Sequence, residues 1–331
     1  MNNAPLISVI MPVYNVEAFV GAAIQSVIDQ SFANWELLII DDGGSDGSMA
    51  VCRQYADPRI RIIAQANRGL AGARNTGIAA ARGRYVALLD SDDLWHPTKL
   101  MLHMIHLEAD GGVDVSYAGS RMIDAGGRPL KTAMRPQLSG ITPADILKRN
   151  PVGNGSAAVI RRRSLNRAAF AHPDEAGRTC WFDESFRQSE DIELWLRLSA
   201  VHGCRFEGIG GLLTDYRIIA GGLSANIARQ YESWERAIAK TEQAAPQLIA
   251  RHGRQAMAYQ LRYLARRAVQ LGDGSFAWSL ALQAVAAGPA MLLAEPRKTL
   301  TTLAAALAAR VLPPAAFRAL AARHLGHGAA A

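Results

Sequence analysis

The first hundred residues switch repeatedly between two hydrophobic patterns. Largely apolar runs of strand length alternate with segments of about 10–15 residues in which apolar positions recur at helical spacing. The run at residues 7–14 is continuous, which is typical of a strand covered on both faces, and the alternation of strands with helices is typical of a parallel, doubly wound sheet. The predicted strands cover residues 7–14, 35–43, 60–65 and 84–90, and the predicted helices cover residues 16–31, 45–55 and 70–82.

The middle of the chain continues the mixture of strands and helices with longer interruptions. Its predicted elements are, in order, a strand at 114–124, a Gly/Pro-rich loop through Ser139, a strand within 155–165 and a helix at 189–203. We expect Ser189 to be the N-cap of that last helix, because a serine hydroxyl can accept a hydrogen bond from a free N–H of the first turn.

The last third is rich in Ala, Leu and Arg and is predicted to be helical from about residue 230. A helix–turn–helix is predicted there with its turn at residues 272–274. Residues 274–294 carry no charge and approach the length of about 20 residues that a membrane span needs. Polar side chains and the Gly288-Pro289 pair interrupt this segment, so we expect no span. The change in composition predicts two domains, residues 1–225 and residues 226–331.

Acidic residues follow two of the predicted strands. Asp41-Asp42 and the run "DSDD", residues 90–93, both fall at carboxyl ends, as does Tyr14. Ligands of parallel sheets bind outside these ends, so we expect the three segments to converge on one crevice. Carboxylates this close repel each other and raise one another's pKa unless a cation lies among them. Without a nearby Cys or His cluster, they suit Mg²⁺ or Mn²⁺ bridging to a diphosphate. The alternative is a solvated acidic loop that caps the following helix.

Several common motifs are absent from the sequence. No G-x-G-x-x-G follows the first strand, where the chain reads "PVYNVEAF", and neither a P-loop nor a G-x-S-x-G elbow occurs. Cys52, Cys180 and Cys204 are odd in number and widely spaced, which is typical of reduced thiols in a cytosolic chain. The N-terminus has no positively charged leader, so we expect no signal peptide and a cytoplasmic location.

Three segments in this order carry a family resemblance: "SVIMPVYN", "WELLIIDDGGSDGS" and "NRGLAGARNTGIAAARGRYVALLDSDD". Over about residues 6–225 the chain resembles the family 2 glycosyltransferases of the GT-A fold. The resemblance implies a Rossmann-like, mostly parallel sheet flanked by helices, with an α-helical C-terminal extension. It also implies a metal-dependent, inverting transfer of a sugar from a nucleoside-diphosphate sugar to an acceptor hydroxyl. The common setting is synthesis of a surface polysaccharide, lipopolysaccharide or other glycoconjugate.

The resemblance also assigns roles to single residues. It implies a nucleotide-sugar site formed by Pro12, Tyr14, Asp42, Arg74, Asp90 and Arg217, a Mn²⁺ or Mg²⁺ site at Asp92 and Asp93, and a general base at Asp191 beside Glu190. Ile219 stands where many relatives carry His. Taken alone, Tyr14 would be read as a core tyrosine, Arg74 as a surface residue and the two acids at 190–191 as partners of a helix dipole. His103 and His106 are read as surface or packing residues.

The formal charge of +7 is concentrated in the last third of the chain. Residues 231–331 contain 12 Lys and Arg against 5 Asp and Glu, whereas the rest contains 24 of each. The helically spaced arginines are either a solvated face or a basic amphipathic surface that touches anionic lipid, peripheral on the inner face of the plasma membrane. The second reading suits a lipid-linked acceptor, and a saccharide acceptor is the alternative. We expect no nucleic acid partner, because no recognised module is present.

Two other functions are compatible with acidic strand ends. A sugar-phosphate nucleotidyltransferase also uses acids and a metal, but it usually carries a Gly-rich basic loop after its first strand, which is missing here. A non-catalytic nucleotide-sugar-binding protein would not need the acids at positions 42, 92, 93 and 191. The donor sugar, the acceptor and the oligomeric state are not encoded in these motifs.

Overall fold

The computed structural model describes residues 4–219 and 227–324. Contacts between residues divide this chain into two compact units. The first contains residues 4–129, 133–141 and 151–218, and the second contains residues 130–132, 142–150, 219 and 227–324.

Nine strands form one mixed sheet with the order β3-β2-β1-β4-β8-β6-β11-β5, and β7 pairs with β6. The strands are β1 Ile7–Val13, β2 Trp35–Asp41, β3 Ile60–Ala64, β4 Tyr85–Leu88, β5 Leu94–Trp95, β6 Val115–Ile123, β7 Pro129–Met134, β8 Ala158–Arg161, β9 Phe170–Ala171, β10 Thr179–Cys180 and β11 Phe206–Arg217, of which β9 and β10 form a separate pair. The helices are α1 Glu17–Ile28, α2 Ser48–Cys52, α3 Gly69–Ala80, α4 Lys99–Ala109, α5 Pro143–Lys148, α6 Arg162–Arg167, α7 Glu190–Leu196, α8 Ile227–Ala244, α9 Pro246–Gln270, α10 Gly274–Ala287, α11 Met291–Ala294, α12 Pro296–Val311 and α13 Pro314–His324.

The prediction of parallel strands is confirmed for the first four. β1 lies between β2 and β4 and runs parallel to both, with Val13 opposite Asp41 and Ile10 opposite Leu88. Since parallel neighbours end at the same edge, this register brings the carboxyl ends of β1, β2 and β4 together. Beyond β4 the sheet is mixed, because β8 runs antiparallel between β4 and β6. The core under this half consists of apolar side chains of β1, β2 and β4 packed with those of α1 and α4.

One local prediction is wrong, and another is confirmed in position only. The segment after residue 124, predicted to be a loop, contains β7, which pairs antiparallel with β6. Its glycines mark a hairpin turn, in which Gly127 has a φ of 82° and its N–H donates to the carbonyl of Asp124. Ser189 does precede α7, but its side chain does not cap the helix, because its backbone is left-handed with a φ of 59°.

The second unit is helical, as predicted. Helices α9, α10 and α12 pack around buried Ala and Leu side chains. The predicted turn is confirmed: α10 begins at Gly274, and the Asp273 carboxylate caps it by accepting the N–H of Phe276 at 2.9 Å. A Cβ at Gly274 would lie 2.2 Å from the backbone of Ala309, so this glycine allows α10 and α12 to approach closely. Among the residues described, no helix combines the length and the hydropathy needed to cross a bilayer.

Candidate active site

The carboxyl ends of β1 and β2 lie next to each other at one edge of the sheet. Pro12 lies buried in β1, and Tyr14 follows that strand with 52% of its surface exposed, so it is not a core tyrosine. Asn15 then turns the chain with a φ of 51°, and its side-chain oxygen accepts the N–H of Ser45 at 2.8 Å. This bond joins the segment after β1 to the segment after β2. The aromatic face of Tyr14 is therefore presented at the strand ends.

Asp42 follows β2 and is almost fully buried, at 3% exposure. Its Oδ1 accepts the side-chain N–H of Gln65 at 2.6 Å and the backbone N–H of Arg68 at 2.9 Å. Its Oδ2 accepts the backbone N–H of Gly69 at 3.0 Å. Asp42 therefore binds the N-terminal end of α3, where free N–H groups and the helix dipole favour a negative charge.

Helix α3 carries the "RGLAGARNTG" run and lies close to β1. A Cβ at Gly77 would come within 2.4 Å of Ile10 Cγ2, so the glycine lets the helix pack directly on the strand. Asn75 is buried and makes four hydrogen bonds to another segment: its Nδ2 donates to the carbonyl of Phe182 and to Glu184 Oε1, both at 2.8 Å, and its Oδ1 accepts the N–H groups of Trp181 and Phe182. The run therefore connects the helix to the chain that leads into α7.

Arg74 of α3 is 1% exposed and joins two acidic segments. Its Nη2 donates to Asp90 Oδ1 at 2.7 Å and its Nη1 to Glu190 Oε1 at 2.6 Å. The surface reading of Arg74 is therefore wrong, because the side chain is a buried bridge. Its Nε has no partner among the described residues. Gly155 leaves room for the guanidinium, since a Cβ there would lie 2.4 Å from Nη2.

The DSDD run forms an acid loop directly after β4. Asp93 is fully buried in this loop, and both of its carboxylate oxygens are used: Oδ2 accepts the Ser156 hydroxyl at 2.6 Å and Oδ1 accepts the backbone N–H of Arg217 at 2.9 Å. Ser156 Oγ also accepts the backbone N–H of Asp90 at 3.0 Å. Burial and the charges of its acidic neighbours raise the pKa of Asp93. The Asp93 carboxylate thus connects the acid loop to Ser156 and to the end of β11.

Arg217, at the end of β11, donates hydrogen bonds to backbone carbonyl oxygens, one of which belongs to the acid loop. Its Nε donates to the carbonyl of Asp92 at 2.7 Å, and its Nη1 donates to the carbonyls of Asp124 and Ala125 at 3.1 and 3.0 Å. The guanidinium also lies 4.8 Å from the ring centroid of Phe19. The donors of Arg217 are therefore largely engaged by the protein. Ile219, two residues on, is half-buried, and residues 220–226 after it lie outside the described residues.

Asp92 differs from its two acidic neighbours because no other described residue donates a hydrogen bond to its carboxylate. Burial and the charge of Asp90 raise its pKa to about 6. Asp90 uses Oδ1 for Arg74 and has Oδ2 without a described partner. Two carboxylates with free oxygens, one of them with a raised pKa, are the hard donor set that Mg²⁺ or Mn²⁺ prefers. The residues present therefore fit a divalent cation.

Two acids begin α7. Glu190 is buried and accepts Arg74, whereas Asp191 is half-buried and accepts only the N–H of Ile192, at 2.8 Å, among the described residues. Burial and the charge of Glu190 raise the pKa of Asp191 to about 7, against the opposing charge of Arg74. A carboxylate that titrates near neutral pH can take a proton from a hydroxyl group, which an ordinary solvated aspartate does poorly.

A buried lysine lies behind the acid loop and was not singled out by the sequence. Lys99 Nζ donates to the carbonyl of Ala157 at 2.9 Å and lies 5.3 Å from the ring centroid of Trp95. Burial lowers its pKa to about 7, although the charge of Asp93 acts in the opposite direction. An isolated lysine in a helical pattern gives no signal of burial, and the same is true of Ser156 in its loop.

Both histidines of α4 pack against β6, in line with the packing interpretation. Nδ1 of His103 and Nδ1 of His106 lie 2.7 and 2.8 Å from the Ser116 hydroxyl. His103 is fully buried, and burial lowers its pKa. These contacts indicate a structural role.

A second group of side chains that could ligate a metal ion lies near β10. Donor atoms of His172, Cys180 and Glu184 lie within 4.8 Å of one another. Nδ1 of His172 accepts the N–H groups of Asp174 and Glu175 at 3.1 and 3.0 Å, which places the imidazole proton on the other nitrogen, and Arg178 pairs with Glu184. These groups therefore already have partners within the protein, and their contacts give no separate indication of a bound metal.

The structure thus links several of the predicted residues directly. Arg74 connects Asp90 to the helix of Asp191, and Arg217 connects Asp92 to Asp93. Pro12, Tyr14 and Asp42 lie at neighbouring strand ends on the same edge of the sheet. Asp42 is connected to Arg74 through α3, and β1 pairs with β4, the strand that precedes the acid loop.

Comparison with known proteins identifies the family. Residues 8–169 match the profile of the family described as Glycosyl transferase family 2. The UDP-Glc:alpha-D-GlcNAc-diphosphoundecaprenol beta-1,3-glucosyltransferase WfgD of Escherichia coli is 33% identical over 222 residues, which cover 67% of this chain and 80% of that protein. The putative teichuronic acid biosynthesis glycosyltransferase TuaG of Bacillus subtilis is 31% identical over 228 residues, or 68% of this chain and 84% of that protein.

Solved structures show the same fold at low identity. The mannosyltransferase PcManGT from Pyrobaculum calidifontis, in complex with GDP-Man and Mn²⁺, has a TM-score of 0.57 at 20% identity, over 94% of this chain and 87% of that one. TarS 1-349 from S. aureus, in complex with UDP, has a TM-score of 0.54 at 15% identity, over 85% of this chain and 88% of that one. The predicted GT-A fold is confirmed, and so is the resemblance read from the motifs: the chain belongs to glycosyl transferase family 2.

Proposed function

We propose that this glycosyltransferase transfers a sugar from a nucleoside-diphosphate sugar to an acceptor hydroxyl with inversion at the anomeric carbon. The observation that carries the proposal is the Asp90–Arg74–Glu190 bridge, which ties an acid loop at the strand ends to the helix that presents Asp191. One side of this bridge has free carboxylate oxygens for a cation and a diphosphate. The other has a carboxylate whose pKa is about 7 and which has a free oxygen.

Asp191 is the proposed general base. It takes the proton of the acceptor hydroxyl as the hydroxyl oxygen bonds to the anomeric carbon, and the bond from that carbon to the phosphate oxygen breaks with its electron pair on the leaving nucleoside diphosphate. Because the attacking and leaving oxygens are on opposite faces of the sugar, a single displacement inverts the configuration. Glu190 is a positioning residue, since it contacts Arg74 and raises the pKa of Asp191.

The cation site is proposed at Asp92, with Asp90 beside it and Asp93 as the residue that fixes the loop. This assignment differs from the sequence expectation in the role of Asp93, because both of its oxygens already accept hydrogen bonds. A bound Mn²⁺ or Mg²⁺ would supply charge neutralisation for the leaving diphosphate. The structural neighbour that binds Mn²⁺ with GDP-Man supports a divalent ion.

The nucleotide is proposed to lie over the ends of β1 and β2. Tyr14 offers an exposed ring for stacking on the base, with Pro12 below it. A carboxylate has about four lone-pair positions and Asp42 uses three of them, so one remains for a base N–H. The free Nε of Arg74 is placed to donate a hydrogen bond to an oxygen of the nucleotide sugar. Arg217 is proposed to hold the acid loop in place rather than to contact phosphate, because its guanidinium already donates to backbone carbonyls.

The acceptor is proposed to be a lipid-linked saccharide in the synthesis of a surface polysaccharide or related glycoconjugate. The names of two relatives support this setting: the Escherichia coli enzyme acts on a diphosphoundecaprenol acceptor, and a Rhizobium meliloti relative is a succinoglycan biosynthesis protein. Residues 1–225 would form the catalytic domain and residues 226–331 a helical region that contacts the membrane carrying the acceptor, on its cytoplasmic face.

A donor-panel assay tests the proposal. Release of nucleoside diphosphate is measured with UDP-, GDP- and dTDP-sugars in Mn²⁺, in Mg²⁺ and in chelator. We expect turnover with one donor class, loss of turnover in chelator, and loss of turnover but retained donor binding in Asp191→Asn. Normal turnover of that variant would refute the base assignment, and synthesis of a nucleotide sugar from a nucleoside triphosphate would indicate a nucleotidyltransferase instead.

A further inference from the structure

Helix α12 presents its large apolar side chains to solvent. Leu300 is 57% exposed, Leu307 45% and Val311 68%. At about 100° of rotation per residue, these three positions lie within an arc of about 40° and form one outer stripe along the helix. Leu293, on the short helix before it, is 88% exposed, the highest value among the large apolar side chains of the described residues. The second unit thus exposes several large apolar side chains at α12 and at the short helix before it.

The inner face of the same helix is small and partly polar. Thr299, Thr302 and Ala306 are the buried residues that α12 packs against the other helices. The threonine hydroxyls are satisfied by backbone carbonyls, for example Thr302 by Lys298 at 2.7 Å. A helix that serves only to pack on a protein core places its leucines inward and its polar residues outward. Of the three leucines of α12, only Leu303 packs against the core, whereas Leu300 and Leu307 are exposed, which indicates a second apolar environment outside the protein.

Two cations flank the outer stripe. Arg297 and Arg310 are exposed, and helical rotation places them about 60° to one side and about 80° to the other side of Leu300. Their long aliphatic stems allow the guanidinium groups to reach lipid phosphates while the stripe is buried among acyl chains. The surrounding sequence adds to this attraction, because residues 231–331 have an excess of seven positive charges, 12 Lys and Arg minus 5 Asp and Glu.

We propose that the outer stripe of α12 docks the protein on an anionic bilayer surface, with the helix lying in the plane of the headgroups. The pattern fits a bilayer better than a second copy of this chain, since an isologous contact on this face would bring the same arginines of two chains together. This inference rests on the proposed function in one respect only: docking would bring the enzyme to a lipid-linked acceptor. Binding to lipid is measured without donor or acceptor, so failure of one idea is distinguishable from failure of the other.

Vesicle sedimentation of the full chain tests the proposal. The probes are vesicles of phosphatidylcholine alone and of phosphatidylcholine mixed with phosphatidylglycerol, at low and high salt. The variants are Leu300→Glu/Leu307→Glu in the stripe and Arg297→Gln/Arg310→Gln at its edges. The matched control is Ile105→Glu on α4 of the first unit, because Ile105 is 60% exposed and has no place in the stripe. All of these side chains are exposed, so thermal unfolding should be unchanged.

We expect the wild-type protein to bind the mixed vesicles and to release at high salt. The stripe variant should bind at least tenfold more weakly, since burial of an exposed leucine and exclusion of a carboxylate both favour the wild type. The arginine variant should bind roughly 30-fold more weakly at low salt, from about 1 kcal/mol for each cation near an anionic surface. The control should bind as the wild type does.

Three results would overturn the proposal. One is absence of binding to mixed vesicles at low salt, and another is equal binding by the stripe variant and the Ile105→Glu control. The third is a concentration-dependent dimer that the stripe variant abolishes, which would assign the stripe to a second copy of the chain. With a water-soluble acceptor saccharide and no vesicles, nucleoside diphosphate release by the stripe variant should equal that of the wild type. A lack of release by both proteins, with lipid-linked as well as with soluble acceptors, would count against the proposed function alone.

Discussion

Replacing Glu190 by Gln should shift the pH dependence of transfer to lower pH. Glu190 is the residue whose charge most strongly opposes ionisation of Asp191, after burial itself. Glutamine keeps an acceptor oxygen for Arg74 Nη1, 2.6 Å away in the wild type, so the bridge to Asp90 can persist. The substitution therefore removes a like charge beside the proposed base with little change of shape.

The size of the shift follows from the loss of one like charge beside the carboxylate. We expect a decrease of about one pKa unit, which corresponds to about 1.4 kcal/mol. Asp191, whose pKa is about 7 in the wild type, should then titrate near pH 6. At pH 5.5 its ionised fraction rises from about 3% to about 24%, so the variant should retain about eightfold more of its plateau rate than the wild type does.

The assay is the initial rate of nucleoside diphosphate release between pH 5 and 9 with saturating donor and acceptor. The matched control is Glu193→Gln on the same helix, because Glu193 is buried like Glu190 but pairs with Arg197, at 2.9 Å. Its acid limb should coincide with that of the wild type. If the acid limb of Glu190→Gln stays in place, or if the control moves equally, then Asp191 is not the group that limits the rate at low pH.

Three further substitutions test other parts of the site. Asp92→Asn should weaken Mn²⁺ binding more than tenfold, measured by calorimetry, because it removes a carboxylate that no other described residue engages. Arg74→Met should lower the free energy of unfolding by about 3–5 kcal/mol in urea, since it leaves two paired carboxylates without their buried cation. Gly155→Ala should reduce the rate of transfer at least tenfold and leave a folded protein, because its Cβ would displace the guanidinium of Arg74.

The sequence was sufficient to place the strand ends and the acids on them. The runs that became β1, β2 and β4 are apolar apart from Ser8, Glu36 and the terminal Asp41, so their composition and length left little choice of element. Parallel pairing then fixes which ends meet, and Asp42 and Asp90 follow from it. The family resemblance was needed for Asp191, because an acid in the first turn of a helix has a ready explanation in the helix dipole.

The contacts between distant segments could not be predicted in the same way. Arg74 and Glu190 are 116 positions apart, and a helical pattern can only suggest that Arg74 faces inward. Ser156 shows the same limit, since nothing in a loop serine indicates that it will donate to Asp93 across 63 positions. The outer stripe of α12 shows the opposite problem: leucines at helical spacing suggest a buried face, but Leu300 and Leu307 are exposed.

Helix α3 contacts each of the separate segments of the candidate site and so holds them in fixed positions relative to one another. Asp42 binds its first turn from β2, Asn75 binds the chain before α7 from its middle, and Arg74 joins Asp90 to Glu190. A displacement of this one helix would therefore move Asp42, the acid loop and the helix of Asp191 together. The small residues of "GLAGARNTG" let α3 lie against β1, and its three polar contacts reach in three directions. The run is thus a mechanical requirement of the site, because it sets the separation between the acids that would face the diphosphate and the acid that would face the acceptor.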